Sequence, residues 1–209
     1  MMRIEKLSPS PDRAGKYRVQ FEDGSVKRLY RQTVEDFGLY SGKELSDEEM
    51  QQLQTAAGAM SAKMRAVRIV SATSVSRKDL QHRLIQKGED PTQAQDAVAW
   101  MEELHLIDDR STAEQVVYRC IQKGYGIARA KQTLYEKRIP KEFWDEVLED
   151  YPDQADKILD FLRAKLSANA DEKAVQSAIN ALLRRGHSYS NIRKALQQLS
   201  LETEDFPEE

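Results

Sequence analysis

Two short stretches of this chain carry residue types that could do chemistry. Asp108 and Asp109 stand side by side, as carboxylates do in a metal site or an acid–base pair. Lys123-Gly124-Tyr125-Gly126 has the glycine and lysine content of a loop that cradles phosphate. Cys120, the single cysteine, could be a nucleophile, and His82, His105 and His187 are the only histidines. Each of these chemistries asks for partners at set spacings. The histidines are scattered without ligand spacing, and none sits beside the aspartates. A phosphate loop needs several glycines ahead of Lys-Ser/Thr and a strand before it, whereas here Gly follows Lys. Cys120 falls within the apolar periodicity of Val116 and Val117, the place of buried filler. No Ser-His-Asp or paired-Glu arrangement stands out. The expectation is a protein that is not an enzyme and takes no cofactor or metal.

Helix punctuation accounts for both stretches. Asp108 and Asp109 follow an apolar helix end and precede Ser111-Thr112-Ala113-Glu114. A carboxylate there satisfies free backbone N–H groups and complements the helix dipole. Gly124, one position after a helix-ending lysine, suits a C-cap in the left-handed conformation.

The elements around these positions are mostly helical. Ser46-Asp47-Glu48-Glu49 is a capping box, opening a helix expected to reach about Ala72 with a break near Gly58. Ser76 with Asp79 starts a second helix that stops at Gly88, and Asp90-Pro91 starts a third. In that third helix Ala94, Ala97, Val98, Met101 and Leu104 recur at helical spacing. Further helices are expected over 110–123, 127–138, 141–150, 154–168, 171–185 and 190–199. Val175, Ala178, Ile179, Leu182 and Leu183 form one wide apolar stripe, and Ile158, Phe161, Leu162 and Leu166 another. Short polar joints make sequence neighbours pack on one another.

The N-terminal part has a different period. Tyr17, Val19 and Phe21 alternate, then Asp23-Gly24 intervenes, then a short run passes through Val26 and Tyr30. Asp-Gly between two such runs signals a hairpin with a type I′ turn. "RIEKL" adds a third strand, and 32–45 reads as a connector with a short helix.

Composition sets the outer limits. The chain has 209 residues, 40% hydrophobic and 32% charged, which fits one large or two small domains with a highly charged surface. Nothing approaches the run of about 18 apolar residues that a membrane span requires. The first residues lack the apolar stretch of a secretory signal, so a cytoplasmic location is expected. The net charge of −3 conceals local patches. "KELSDEEM" and the tail "LETEDFPEE" are acidic, whereas from 119 to 141 seven basic residues face Glu136 alone.

Three segments align without gaps: "RIVSATSVSRKDLQHRL", "YRCIQKGYGIARAKQTL" and "NALLRRGHSYSNIRKAL", ending at Leu84, Leu134 and Leu196. Lys123-Gly124 falls on Arg185-Gly186, and Leu80, Ala130 and Ile192 coincide. The pattern suggests a unit of about three helices, repeated. The expected fold is mainly α, with tandem three-helix repeats forming an elongated curved body behind a small N-terminal β-hairpin region. Its divisions are 1–45 (hairpin and connector), 46–108 (first repeat with a leading helix), 109–152 (second repeat), 153–200 (third repeat with an extra helix near 154–168) and 201–209 (acidic tail).

A candidate surface lies on the later repeats. On the helix expected at 127–138, Ile127, Ala130 and Leu134 form the buried line, while Lys131, Tyr135 and Arg138 follow one another at i, i+4 and i+7. Arg119 and Lys123 are one turn apart on the helix before, with Arg129 and Lys137 nearby, and the third copy adds Arg184, Arg185, Arg193 and Lys194. Two readings of these cations stand level: ordinary solvated helix faces, or one strip that meets a polyanion or an acidic protein groove.

At this point the chain resembles the RecX regulatory proteins of bacteria. "LHLIDD" at 104–109 with Ala113 after it, the Lys-Gly-Tyr-Gly stretch, and "LLRRGHSYSNIRKAL" at 182–196 carry the resemblance, which covers about residues 60–200. The chain departs from the family at His187, where phenylalanine is usual, and at Ser74, where the later copies have Gly. The resemblance implies a modulator that binds in the groove of the RecA filament on single-stranded DNA. It would inhibit recombination, ATP hydrolysis and coprotease activity, as a monomer with weak direct DNA contact and no membrane partner. The alternatives are a stand-alone DNA-binding protein with helix-turn-helix-like modules, or a helical scaffold for another acidic partner.

Overall fold

The computed structural model describes residues 1–11, 15–167 and 170–204, with side chains described to residue 199. It contains two compact units, Met1–Ile107 and Asp108–Glu209. The chain is mostly helical, with a small antiparallel sheet at its N-terminal end.

In the first unit, strands β1 (Met2–Pro9), β2 (Lys16–Phe21), β3 (Val26–Tyr30) and β4 (Glu44–Leu45) form a sheet in the order β3-β2-β1-β4. The β2–β3 hairpin forms where the alternation places it, but its turn is not type I′. Among the described non-glycine residues Asp23 is absent from those with positive φ, while Gly24 has φ +80°. Gly24 N–H donates to the Phe21 carbonyl and Phe21 N–H to the Ser25 carbonyl, both at 2.9 Å. This is a type I turn whose last residue is left-handed, the three-residue alternative.

β1 pairs with β2 through a bulge between Ile4 and Lys6, which makes Glu5 the extra residue. The bulge lets Ile4 and Leu7, three positions apart, both face the core. That core joins Ile4, Val19, Phe21, Leu29, Val34, Leu39 and Leu45 to Leu53 of the following long helix. Val34 comes from the connector's short helix, α1 (Arg31–Asp36).

The long helix, α2 (Asp47–Ala72), opens with both bonds of the capping box: Glu49 N–H to Ser46 Oγ at 3.1 Å, and Ser46 N–H to Glu49 Oε2 at 2.7 Å. It runs unbroken through Gly58, contrary to the expected interruption. A Cβ there would lie 2.3 Å from Gln93 Oε1, the end of a flexible side chain that packs beside Gly58. The far half of α2 shares a second core with α3 (Arg77–Gln86) and α4 (Pro91–Glu103). Leu104 ends outside it, 48% exposed, because α4 stops at Glu103.

The second unit has two apolar cores. One unites α5 (Asp109–Gln122), α6 (Ile127–Glu136) and α7 (Trp144–Leu148) around Ala113, Val116, Cys120, Ala130, Leu134 and Leu148. The expected helix over 141–150 is in fact a 3₁₀ turn (Lys141–Phe143) leading into the short α7. The other core unites α8 (Ala155–Lys165), α9 (Glu172–Arg184) and α10 (Tyr189–Glu204) around Ile158, Leu162, Ala178, Ile179, Leu182 and Ile192. Leu183, expected within the apolar stripe, is 42% exposed. Of the acidic tail expected at 201–209, residues 205–209 lie outside the described residues. Among the described residues no helix is long and apolar enough to cross a membrane.

Candidate functional site

The two chemically suggestive stretches are helix ends. Asp108 Oδ1 accepts from the Arg110 backbone N–H at 2.9 Å, and its own carbonyl accepts from Thr112 Oγ1 at 2.7 Å. Asp109 is buried in the first turn of α5. After α5, Gly124 takes φ +64° and Tyr125 N–H closes onto the Cys120 carbonyl at 3.0 Å. Cys120 itself is buried, and burial pushes its thiol pKa up, the opposite of what a nucleophile needs.

This closure recurs along the chain. Glu89 N–H bonds the Leu84 carbonyl around Gly88, and His187 N–H bonds the Leu182 carbonyl around Gly186. The same bond closes around His105 and Arg138, each with φ +53° although neither is glycine. The Arg138 conformation corrects one expectation. α6 ends at Glu136, so Arg138 lies beyond the helix and does not continue the line of Lys131 and Tyr135. Ile127 is a second correction: it starts α6 and is 43% exposed, leaving Ala130 and Leu134 as the buried line.

The Lys-Gly-Tyr-Gly stretch does more than end a helix. It is the place where the two cores of the second unit meet. Gly126 N–H donates to the Arg185 carbonyl at 2.9 Å. A Cβ on Gly126 would lie 2.1 Å from the Gly186 oxygen, and one on Gly186 would lie 2.2 Å from the Arg129 nitrogen. Two glycines are therefore needed for backbone to touch backbone. Around them backbone carbonyls accept from side-chain donors. His187 Nε2 bonds the Gly124 oxygen at 3.0 Å, and the Tyr151 hydroxyl bonds the Tyr125 oxygen at 2.6 Å. Gln154 Nε2 reaches the Ile121 oxygen at 3.4 Å. Sequence reasoning identified Gly124 as a cap but missed the second role of Gly126; two glycines flanking one aromatic was the available signal.

This junction fixes part of the candidate surface. The backbone of Arg129 and that of Arg185 are held together by the glycine contact, with Lys123 just before it. The Arg185 guanidinium lies over the Phe161 ring, 4.6 Å from its centroid, and Arg129 pairs with Glu136 at 3.3 Å. Lys137 is half-buried and, like Arg138, is engaged within the protein. Arg119, Lys123, Lys131, Arg184, Arg193 and Lys194 are all exposed, and among the described residues none of them has an ion pair. Tyr135 is 68% exposed beside Lys131, an aromatic left in solvent. Among the described residues no group of three or more His, Cys, Asp or Glu side chains converges to hold a metal.

Known proteins share both the sequence and this architecture. A regulatory protein RecX of Clostridioides difficile is 24% identical over 207 residues, covering 94% of this chain and 94% of its own length. The RecX of Vibrio parahaemolyticus is 27% identical over 154 residues, 70% of this chain and 94% of that protein. A crystal structure of regulatory protein RecX superposes with a TM-score of 0.59 over 93% of this chain and all of that one, at 20% identity. In sequence and in fold the chain is similar to these RecX regulatory proteins. No protein-family model matches it. A second RecX structure, from Lactobacillus salivarius, also gives a TM-score of 0.59, at 22% identity over 70% of this chain.

Proposed function

We propose that this chain binds the RecA filament on single-stranded DNA, seats its helices in the filament groove, and inhibits recombination, ATP hydrolysis and coprotease activity. It acts as a cytoplasmic monomer. The observation that carries this reading is the set of exposed cations with no ion pair among the described residues, Arg119, Lys123, Lys131, Arg184, Arg193 and Lys194, in a chain of net charge −3 that is similar to regulatory RecX proteins. Cations left without internal partners are available to an anionic groove, and such attraction speeds and orients association. No reaction centre is required. A helical body in the groove obstructs entry of duplex DNA and disturbs filament growth by bulk and charge.

Co-sedimentation with RecA filaments on single-stranded DNA, with naked DNA as control, tests the reading directly. Filament modulation predicts strong preference for the RecA-coated strand. Equal, steeply salt-dependent binding to naked DNA would favour a stand-alone DNA-binding protein, and binding to neither would favour a scaffold for another partner. Strand-exchange and ATPase assays with Lys123, Lys131, Arg184 and Arg193 changed to Ala test the surface. Undiminished inhibition removes these residues from it.

A further inference from the structure

The N-terminal sheet has two faces with opposite characters. One packs on α2 through Val19, Phe21 and Leu29. The other is fixed by the strand register, in which directly opposite residues point the same way. Lys6 stands opposite Gln20, Ser8 opposite Arg18, Arg18 opposite Arg28, and Lys16 opposite Tyr30. Lys6, Arg18 and Arg28 are exposed. Lys16 lies 4.0 Å from the Tyr30 ring centroid, and the Tyr30 hydroxyl accepts from Arg68 at 3.0 Å, which brings a further cation to the β3 edge. Glu5, in the bulge, is bonded by Gln20 Nε2 at 2.7 Å. Residues 1–31 hold eight Lys or Arg against four Asp or Glu, whereas the whole chain is net negative, so the excess of positive charge is local.

We propose that this outer face binds the phosphate backbone of single-stranded DNA, as a site separate from the candidate surface on the later helices. Charge complementarity selects a polyanion: Lys6 and Arg18 project from one exposed face of a segment in which basic residues outnumber acidic ones eight to four. The geometry selects a single strand. Side chains on one face of a strand recur every ~6.8 Å, and neighbouring strands lie ~4.8 Å apart, so the cations form a short grid on a twisted surface. A flexible strand can follow that twist. A duplex, stiff over roughly 150 base pairs, touches it along one line. The proposal does not rest on the filament reading.

The test uses the full chain without RecA: fluorescence anisotropy of labelled oligo(dT), titrated across a range of salt. Lys6→Gln/Arg18→Gln is the probe variant, Lys6→Arg/Arg18→Lys the charge-preserving one, and circular dichroism checks that each is folded. Each phosphate contact contributes about 0.7 to the slope of log affinity against log salt. The Gln pair should lower affinity about tenfold or more at low salt and flatten the slope by about 1.4, while the Arg/Lys pair keeps both. Unchanged affinity and slope in the Gln pair would overturn the site. So would loss of RecA-filament binding with oligo(dT) affinity intact, which would assign the face to protein, or equal binding of a matched duplex. Because naked DNA is the readout, failure here leaves filament co-sedimentation as an independent question.

Discussion

His187 Nε2 donates to the carbonyl oxygen of Gly124 at 3.0 Å, joining residues 63 positions apart. A carbonyl only accepts, so this buried nitrogen carries a proton. Burial lowers the His187 pKa, the bond to Gly124 opposes that shift, and the charge of Arg185 adds to it. The sign of the linkage follows. Above the ordinary value of 6.5 folded and unfolded rings are both neutral and stability does not respond. Below it the unfolded chain takes the proton first, so stability falls with pH until the folded ring also titrates. Urea unfolding of the native chain should show this decline from about pH 6.5 downward. His187→Gln, which keeps an N–H donor but does not titrate, should decline less over the same interval; equal declines would remove His187 as the cause.

Gly126 and Gly186 permit the backbone contact beneath that histidine, and their replacement should be costly. A Cβ on Gly126 meets the Gly186 oxygen at 2.1 Å and one on Gly186 meets the Arg129 nitrogen at 2.2 Å, in both cases rigid backbone. Gly186 adds a left-handed φ of +84°. Gly126→Ala and Gly186→Ala should each lose about 3 kcal/mol or more, the size typical of overpacking that moves backbone. Gly24→Ala is the control. It has φ +80° but nothing within 4 Å, so it should lose only about 1 kcal/mol for conformation. Urea midpoints of the three variants measure the order; a Gly126→Ala variant as stable as Gly24→Ala would contradict the contact.

Tyr151 secures the same corner from another side. Its hydroxyl donates to the Tyr125 carbonyl at 2.6 Å, and burial pushes its pKa up to about 12. An ultraviolet titration of the tyrosines should therefore show a late step near pH 12, above the ordinary tyrosine value of 10.0. Tyr151→Phe should abolish that late step and lower stability by about 1–2 kcal/mol, because the Tyr125 carbonyl loses its donor. Retention of the late step in the variant would assign it to another tyrosine.

What the sequence disclosed and what it hid divide along the range of the interactions. Ser46, Ser76, Asp90 and Asp108 each cap the helix that their spacing announced, because a cap bonds only two or three residues ahead. The β2–β3 hairpin was legible for the same reason. The Glu5 bulge, the pairing of Met2 with Leu45 and the packing of Gln93 beside Gly58 all depend on residues distant in sequence. So does the second role of Gly126, since nothing near it in the chain states that Gly186 will lie against it. Of the candidate surface, the exposed cations were legible as such. The stripe of Lys131, Tyr135 and Arg138 was drawn one turn too far, because Arg138 adopts a helix-ending conformation that glycine usually marks.

That conformation gives a final prediction at the equivalent end of α4. His105 has φ +53° and closes the helix through its N–H to the Glu102 carbonyl at 2.8 Å, with Leu106 N–H to the Met101 carbonyl at 3.0 Å. Gly88, Gly124 and Gly186 make the same closure without a side chain. A non-glycine residue in this region costs about 1–2 kcal/mol. Glycine removes that strain while raising the entropy of the unfolded chain by an amount equivalent to about 0.4–1 kcal/mol. The balance favours His105→Gly by about 0.5–1 kcal/mol, and His105 is exposed, so little packing is lost with its ring. The reciprocal change, Gly88→Ala, meets nothing within 4 Å but keeps φ +86°, and should lose about 1 kcal/mol. Paired urea melts decide the matter: if His105→Gly destabilises the chain while Gly88→Ala leaves it unchanged, the left-handed closure is not where the strain lies.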